Sequence, residues 1–440
     1  MTTFSIKTLG CKVNQFESEI LEQALVDQGY RQAGGKEAAD ICIINTCTVT
    51  QKASMQSRQA IRQAIRANPG ARVLVTGCYA QTEPEAIQSI AGVHDVVGHG
   101  DKSRIPEILS LAEAGKSARA EEPMFLNLRA SALPNFPLQR GRSRTRPFLK
   151  IQDGCNAFCA YCIVPFARGR SRSLPIKFVL ESIRRLKAGG IHEIVLTGIH
   201  LGHYGLDLKP GTCLTDLLAA VESAGLMERI RISSIEPAEV SDELIDRVAG
   251  SQVFCHHFHI PLQSGNNDVL MRMNRPYTRE LFQNLAQRIH DRIPDAAIGA
   301  DVLVGFPGES DAAFEQTVSL IEALPITYLH VFPFSPRKGT PAYGFADQIP
   351  HSVVKTRCSA LRALGKAKKK SFYRSHIGNE VEILIEGVRD EVTGLLKGLT
   401  SNYIPVMVEG KDHLRHTLAK ARIIRLQGET AMFGEIHCVS

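Results

Sequence analysis

The sequence of 440 residues lacks long apolar runs, and none approaches the roughly 18 consecutive apolar residues of a membrane span. Its first residues, MTTFSIKTLGCKVNQFESE, also lack the basic region and long apolar segment of a secretion signal. These absences predict a cytoplasmic protein with no membrane partner. With 44% hydrophobic and 22% charged residues, the chain is long enough for about three domains of ordinary size.

Two long segments lack acidic residues. The first runs from His351 to Asn379 and contains the cations Lys355, Arg357, Arg362, Lys366, Lys368, Lys369, Lys370 and Arg374. The second runs from Leu126 to Gln152 and contains Arg129, Arg140, Arg142, Arg144, Arg146 and Lys150. A solvated surface explains either segment alone equally well. Two such segments together favour a nucleic-acid partner, because clustered cations attract a polyanion.

The pattern of apolar runs predicts an α/β protein in three parts. SIKTL, ICIINTC and RVLVTGC alternate with amphipathic stretches, which is typical of a parallel-sheet α/β domain over residues 1–120. A basic linker over 121–147 is followed by six strand candidates separated by helix-length segments, which predict a partial (βα)6 barrel over 148–372. Short β-like runs in 373–440 predict a small antiparallel β-barrel similar in kind to oligonucleotide-binding barrels.

The eleven cysteines are expected to be reduced, so clustered ones indicate metal binding or catalysis. Cys155, Cys159 and Cys162 follow a predicted strand with C-x3-C-x2-C spacing, whereas zinc sites usually show C-x2-C pairs. Three thiolates can hold three irons of a [4Fe-4S] cluster and leave the fourth iron open. That iron can chelate S-adenosylmethionine (SAM) through its amino and carboxylate groups. The loop resembles the radical SAM superfamily.

The superfamily resemblance implies a SAM site built from several loops. A glycine-rich segment that binds the SAM amino group would contain Gly189, Gly190 and Glu193. Ser234 and Glu236 would lie near the ribose, although a helix cap or a turn explains them equally well. The turn within 300–309 would lie near the adenine. Beside the cluster loop, Arg168, Arg170 and Arg172 have three open roles, which are SAM binding, contact with RNA phosphate, and a solvated surface.

A second set of cysteines is dispersed along the first domain. Cys11, Cys47 and Cys78 each follow the end of a predicted strand. Because the carboxyl ends of parallel strands share one edge of a sheet, these cysteines are expected to converge there. A lone cysteine after a strand is usually a small buried residue. Three in equivalent positions favour a second cluster.

Together, the dispersed cysteines, the radical SAM core and the C-terminal barrel resemble the methylthiotransferase family over essentially the whole chain. The resemblance implies an auxiliary [4Fe-4S] cluster on Cys11, Cys47 and Cys78, a radical SAM [4Fe-4S] cluster on Cys155, Cys159 and Cys162, and a TRAM-like C-terminal domain. It also implies two SAM molecules per turnover, one as methyl donor and one as radical source. The other five cysteines, which match no family ligand position, are interpreted as packing residues: Cys42, Cys213, Cys255, Cys358 and Cys438.

The motif GCKVN resembles the family branch that acts on N6-threonylcarbamoyladenosine at position 37 of tRNA, whereas GCQMN is typical of the isopentenyladenosine branch. Implied partners are the tRNA anticodon arm and a low-potential electron donor such as flavodoxin or ferredoxin. The predicted tRNA contacts are Lys366, Lys368, Lys369, Lys370 and Arg374. The alternatives are isopentenyladenosine tRNA or a ribosomal protein as substrate, and a nonenzymatic iron-sulfur protein that binds RNA or transfers electrons. A cobalamin-dependent radical enzyme is disfavoured, because Cys11, Cys47 and Cys78 would have no role in it.

Overall fold

The computed structural model describes residues 1–35, 37–113, 144–208 and 211–439. Most of the predicted linker, including Arg129, Arg140 and Arg142, therefore lies outside the described residues. No helix in the described part of the chain is long and apolar enough to cross a membrane.

The N-terminal domain is a five-stranded parallel sheet in the order β2-β1-β3-β4-β5. Strand β3 is buried along its whole length, because helices cover both faces of the sheet. The strands are β1 (Thr3–Thr8), β2 (Arg31–Gln32), β3 (Ile41–Thr46), β4 (Arg72–Gly77) and β5 (Asp95–Val97). The helices are α1 (Lys12–Asp27), α2 (Gln51–Ala67), α3 (Cys78–Thr82), α4 (Pro84–Gln88) and α5 (Ile105–Glu113).

The central domain contains six parallel strands in two sheets, β10-β9-β6 and β11-β12-β13. A parallel bridge between Ile230 of β10 and Phe254, three residues before β11, connects the two halves of the partial barrel, which agrees with the prediction. Its strands are β6 (Phe148–Lys150), β9 (Glu193–Thr197), β10 (Arg229–Ile232), β11 (His257–Gln263), β12 (Ala297–Val304) and β13 (Tyr328–Pro333). A small antiparallel pair beside them consists of β7 (Gln152–Asp153) and β8 (Arg172–Ser173).

Helices follow the barrel strands, and several begin at a side chain that accepts a hydrogen bond from the first turn. Those capping residues are Ser241, Asn266, Thr278 and Ser310. The helices are α6 (Val164–Arg168), α7 (Ile176–Ala188), α8 (Leu214–Ser223), α9 (Asp242–Gly250), α10 (Asn267–Arg272), α11 (Arg279–Arg292), α12 (Asp311–Ala323) and α13 (His351–Arg374). The long helix α13 leads to the third domain.

The C-terminal domain is a closed five-stranded barrel in the order β14-β15-β16-β18-β17. Its core includes Ile383 and Ile385, which lie two positions apart in β14 and therefore on the same face of the strand. The prediction of an antiparallel barrel is confirmed for every pair except β16 and β18, which run parallel where the barrel closes. The strands are β14 (Glu380–Arg389), β15 (Leu396–Thr400), β16 (Pro405–Val408), β17 (Leu418–Gln427) and β18 (Ala431–Val439).

The three domains pack against one another through specific contacts. Phe16 and Ile20 of α1 belong to the hydrophobic core of the partial barrel. At the start of β10, Arg229 donates to the Leu399 carbonyl at 3.2 Å, and Arg231 donates to the Thr400 carbonyl at 3.0 Å. The C-terminal barrel therefore contacts the end of the partial barrel opposite to the cysteine loop.

Candidate active site

The three dispersed cysteines lie at one edge of the N-terminal sheet. Cys11 precedes α1, Cys47 directly follows β3, and Cys78 is the first residue of α3 after β4. Since β1, β3 and β4 are adjacent, the carboxyl ends of these strands bring the three residues together. Cys11 is exposed, while Cys47 and Cys78 are buried. Burial raises the pKa of the Cys78 thiol to about 12, so its thiolate needs a cation or a metal.

Two glycines allow the close approach at this edge. Gly10 has a φ of +97°, and a Cβ there would lie 2.9 Å from the Cys47 sulfur. Gly77 has a φ of +95°, and a Cβ there would lie 2.4 Å from the Thr46 carbonyl oxygen. Only glycine adopts this backbone without strain and without collision. The turns before Cys11 and Cys78 therefore depend on glycine.

The local C-x3-C-x2-C loop lies at the carboxyl end of the partial barrel. Gly154 has a φ of +75°, and a Cβ there would lie 2.0 Å from the Arg170 carbonyl oxygen. The Gln152 side chain holds this region, because its oxygen accepts from the His200 N–H at 2.8 Å and its nitrogen donates to the Gly154 carbonyl at 2.8 Å. The loop is thereby fastened to the end of β9.

Polar side chains from other strands surround the loop sulfurs. His200 Nδ1 lies 3.2 Å from Cys155 Sγ, and its Nε2 lies 2.5 Å from Glu239. Arg275 donates to Cys159 Sγ at 3.3 Å and to Glu236 at 3.0 Å. The remaining oxygens of Glu236 and Glu239 are buried without a hydrogen bond among the described residues. Two unpartnered carboxylate oxygens beside the cysteine loop form suitable surroundings for an ammonium group.

Arg168 joins the two cysteine sets. Its guanidinium is 1% exposed and donates to Glu17 and Asp153 at 2.9 Å and to Asn14 at 2.5 Å. Lys102 and Lys150 also contact Glu17, at 2.6 and 2.9 Å. Burial raises the pKa of Glu17, but Arg168, Lys102 and Lys150 outweigh burial and hold it well below its usual range.

This buried network has an excess of positive charge. Four cations surround the two carboxylates of Glu17 and Asp153, and they are Arg168, Lys102, Lys150 and, at 3.8 Å from Asp153, Arg172. Arg168 is also close enough to Cys78 and Cys11 for their charges to raise its own pKa. A positive excess beside three thiolates stabilises a negatively charged group at that edge.

Both triads fit iron-sulfur clusters better than single ions. A tetrahedral zinc site draws thiolate sulfurs to within about 4 Å, because each Zn–S bond is about 2.3 Å long. Among the described residues, neither triad brings its three sulfurs within 4.8 Å of one another. The wider spacing suits a polynuclear cluster. The unpartnered oxygens of Glu236 and Glu239 suit the amino group of SAM next to the radical SAM triad.

The structure corrects the predicted glycine-rich SAM segment. Gly189 and Gly190 terminate α7, where Gly190 adopts a φ of +79°. Glu193 is fully buried at the start of β9 and pairs with Arg229 at 2.9 Å and Arg231 at 3.0 Å. This is the end of the strand opposite to the cysteine loop. The glycines are a helix cap, and Glu193 neutralises arginines that hold the C-terminal barrel.

The other predicted SAM residues lie at the same end of the partial barrel as the cysteine loop. Glu236 reaches the cysteine loop through Arg275. Ser234 is exposed after β10, and Arg170 is exposed beside Gly154. Within 300–309, Glu309 accepts from the Gly305 N–H at 2.8 Å and from Arg357 at 2.8 Å. SAM binding by Ser234, Glu236 and Arg170 stays a prediction.

The predicted RNA-binding cations of α13 have different surroundings. Lys366, Lys370 and Arg374 are exposed, and Lys366 lies 3.5 Å from Glu429. Lys369 is half-buried with its ammonium 5.4 Å from the Tyr373 ring centre. Lys368 donates to the Glu322 and Leu324 carbonyls at 3.0 and 2.7 Å, so it satisfies the end of α12. Lys368 thus has a structural role, and RNA binding by Lys366, Lys368, Lys369, Lys370 and Arg374 stays a prediction.

The remaining cysteines differ in burial. Cys42, Cys255 and Cys358 are buried, which agrees with a packing role. Cys213 is exposed, and its backbone N–H donates to Asp216 at 2.8 Å at the beginning of α8, so the packing interpretation is wrong there. The side chain of Cys438 lies outside the described part of the structure.

Several residues of the candidate site were not predicted from the sequence. Gln152 lies three residues before Cys155 but belongs to no recognised motif, whereas Glu239 and Arg275 are distant in the chain and only the fold brings them to the cysteine loop. His200 lies in the segment TGIHLGHYG, whose sequence gives no sign of its contact with Cys155. Asn14 and Glu17 lie three and six positions after Cys11, yet their partner Arg168 is distant in sequence.

Comparisons with known proteins agree with the two-part site. Residues 3–98 match the model of the uncharacterized protein family UPF0004, and residues 149–321 match that of the radical SAM superfamily. The solved structure of the radical SAM methyltransferase TsrM from Kitasatospora setae, with cobalamin and a [4Fe-4S] cluster bound, has a TM-score of 0.57 and 17% identity. The similarity covers 78% of this chain and 77% of that chain, and it shows a shared fold.

Curated relatives extend the similarity over almost the whole chain. The threonylcarbamoyladenosine tRNA methylthiotransferase MtaB of Bacillus subtilis is 40% identical over 97% of this chain and 94% of its own. The tRNA-2-methylthio-N(6)-dimethylallyladenosine synthase of Pelotomaculum thermopropionicum is 33% identical over 97% of each chain. With both cysteine triads in place, this chain belongs to the radical SAM tRNA methylthiotransferase family.

Proposed function

We propose that this enzyme adds a methylthio group to C2 of N6-threonylcarbamoyladenosine at position 37 of tRNA. The observation that carries the proposal is the pair of cysteine triads joined by one buried ion network. Cys11 and Cys78 lie near Arg168, and Asp153, which Arg168 contacts at 2.9 Å, lies two residues before Cys155. Two metal clusters held this close together can serve one substrate.

Each triad has a separate task in the proposal. Cys155, Cys159 and Cys162 would hold the cluster that binds SAM, and Cys11, Cys47 and Cys78 would hold an auxiliary cluster that carries the sulfur. With SAM bound, these groups supply a carbon radical for hydrogen abstraction and a methylated sulfur for transfer. One SAM would serve as methyl donor and a second as radical source, with a reduced flavodoxin or ferredoxin as electron donor.

The protein contributes binding, orientation and exclusion of water. Arg275 and His200 would orient the sulfurs of Cys159 and Cys155 through their hydrogen bonds. Glu236 and Glu239 have oxygens free to accept the SAM ammonium. The positive network around Arg168 would stabilise the anionic auxiliary cluster.

The tRNA would contact α13 and the C-terminal barrel. Lys366, Lys370 and Arg374 are exposed along the end of α13, which enters that barrel. Phosphate contacts there position an RNA without reading its sequence. The proposed division of labour follows the predicted domain boundaries, with 1–120 for the auxiliary cluster, 148–372 for radical chemistry and 373–440, the TRAM-like domain, for RNA.

The threonylcarbamoyl substrate is favoured by the relatives at 34–40% identity, which share that name. The isopentenyl-type substrate is the second candidate, because the Pelotomaculum relative is named for it. Mass spectrometry of tRNA nucleosides from a deletion strain separates them. We expect loss of the methylthio form of threonylcarbamoyladenosine, restored by wild type but not by a Cys155→Ala variant.

A different result would identify the other substrate. If the methylthio threonylcarbamoyl nucleoside persisted in the deletion strain while the isopentenyl form disappeared, the second candidate would be correct. If both persisted and a ribosomal protein lost a methylthio group, the substrate would not be tRNA.

A further inference from the structure

A cavity of about 250 Å³ lies where the three domains meet. It is lined by Lys12 from the N-terminal domain, by β6, β9 and β10 of the partial barrel, and by β14 of the C-terminal barrel. Its volume is below the roughly 300–1,000 Å³ of a typical pocket for a whole small molecule. The cavity therefore suits one substituent of a larger substrate.

The charged lining of the cavity is predominantly positive. Lys12, Arg144, Arg146 and Arg231 face it together with a single carboxylate, that of Glu386. The three arginines already have carboxylate partners. Arg144 pairs with Glu19 at 2.8 Å, Arg146 with Glu386 at 2.7 Å and Arg231 with Glu193 at 3.0 Å.

Lys12 differs from those arginines. Its side chain is exposed, and among the described residues its ammonium has no hydrogen bond and no ion pair. It also shares the cavity with Arg146 and Arg231, so the cations of the cavity lining outnumber its single carboxylate, that of Glu386. A cation in such surroundings gains most from an anion that enters the cavity.

The other walls define what kind of anion fits. Phe148, Val195, Val388 and Tyr403 supply apolar and aromatic surface. Such walls accommodate a short carbon chain that ends in a carboxylate. Lys12 directly follows Cys11 in the chain, so the cavity lies beside the edge of the sheet where the auxiliary cluster is proposed.

We propose that Lys12 binds the carboxylate of an amino-acid substituent on the substrate adenosine and so selects the anionic nucleoside. This inference rests on the proposed function, in which the N6 group is a threonylcarbamoyl chain. It adds a specificity-determining residue whose contact is with the substrate and not with either cluster. An RNA phosphate is the competing source of the same negative charge.

The test measures two anticodon stem-loops, each with the wild-type enzyme and with the Lys12→Gln variant. One loop carries N6-threonylcarbamoyladenosine, and the other carries its methyl ester, which lacks the charge but keeps every phosphate. For Lys12→Gln holoenzyme we expect Kd and KM for the free-acid loop to rise on the order of tenfold or more, because a charged hydrogen bond is removed. For the ester loop the two enzymes should agree within about twofold, since no such bond forms there.

Two controls test whether the effect is specific to Lys12. Lys7→Gln, at an exposed lysine of β1, should behave as wild type with both loops. Iron and sulfide content of Lys12→Gln should equal that of wild type, because Lys12 is not a proposed ligand. Kd is measured by fluorescence anisotropy in the absence of SAM, so binding is read independently of turnover.

Each outcome decides one hypothesis. An equal loss of affinity with both loops would assign Lys12 to an RNA phosphate, and no loss with either would remove it from the binding site, so both results overturn the inference. The proposed function is tested separately by the wild-type enzyme. If wild type modified an isopentenyladenosine loop and not the threonylcarbamoyl loop, the proposed substrate would be wrong and this inference would fall with it.

Discussion

At the scale of single residues, the site depends on side chains whose charge is controlled by neighbours from other parts of the chain. Burial raises the pKa of Cys78 and Cys162 to about 12, so these thiols ionise only when a cation or a metal replaces the missing solvation. Arg168 and Arg275 supply part of that compensation for the two triads, respectively.

The first prediction concerns the cluster ligands. Wild type purified without oxygen should contain about eight irons, and Cys155→Ala/Cys159→Ala/Cys162→Ala about four, since each triad holds one four-iron cluster. Iron and sulfide assays with Mössbauer spectra measure this. The control is Cys213→Ala at an exposed non-ligand cysteine. About four irons in wild type falling to none would remove the auxiliary cluster.

The second prediction concerns Arg168. Arg168→Met should lower the free energy of unfolding by about 3–5 kcal/mol, because Glu17 and Asp153 lose a buried partner. Chemical denaturation of the purified enzyme, followed by circular dichroism, measures the change. Arg170→Met is the matched control, because Arg170 is exposed and two residues away. Equal stability of both variants would show that the network does not depend on Arg168.

At the scale of elements, turns and helix ends place the functional groups. The cysteines of the first domain lie where strands pass into helices, and these short turns need backbone conformations that glycine alone adopts freely. The exposed face at the end of α13 differs from these turns, because its proposed binding of RNA phosphates depends on charge and not on exact geometry.

The third prediction concerns the turn before Cys78. Gly77→Ala should lose auxiliary iron, because the new Cβ would lie 2.4 Å from the Thr46 carbonyl oxygen. Gly70→Ala provides the control, since Gly70 also has a positive φ, of +86°, but no atom within 4 Å. Iron analysis of both variants separates collision from general backbone strain. Full iron content in Gly77→Ala would contradict the proposed geometry.

The fourth prediction concerns α13. Replacing Lys366, Lys370 and Arg374 by alanine should weaken tRNA binding and make it less dependent on salt. The slope of the logarithm of the binding constant against the logarithm of the salt concentration should decrease in magnitude by about 0.7–0.9 for each phosphate that is no longer neutralised. Filter binding over a range of salt concentrations measures the slope. Lys368→Ala should instead reduce stability, because it leaves two carbonyls at the end of α12 without a donor. An unchanged slope in the triple variant would place the RNA elsewhere.

At the scale of the whole molecule, the domains depend on one another. The C-terminal barrel covers Arg229 and Arg231, which are buried and donate to carbonyls of Leu399, Thr400 and Ser401. Truncation after Gly378 should therefore destabilise the partial barrel as well as weaken tRNA binding, because two arginines lose buried acceptors. Thermal unfolding of the truncated enzyme checks this, and an unchanged midpoint would show that the domains are independent.

Features that depend on local spacing were predictable from the order of residues alone. Cys155, Cys159 and Cys162 lie in one loop, so their spacing indicates a cluster directly, and the alternating patterns indicate the three folds. The edge shared by Cys11, Cys47 and Cys78 was also predictable, because the carboxyl ends of adjacent parallel strands coincide.

The distant side chains that complete the site could be identified only from the way the strands and domains pack. Gly189, Gly190 and Glu193 match a SAM-binding pattern in sequence, but strand direction places them at the far end of the barrel. Arg275 reaches Cys159, and Lys12 shares a cavity with Tyr403, because the packed domains bring together residues far apart in the chain. The periodicity of apolar residues indicates which face of a helix or strand a residue occupies. The packing of the domains determines which distant side chains that face contacts.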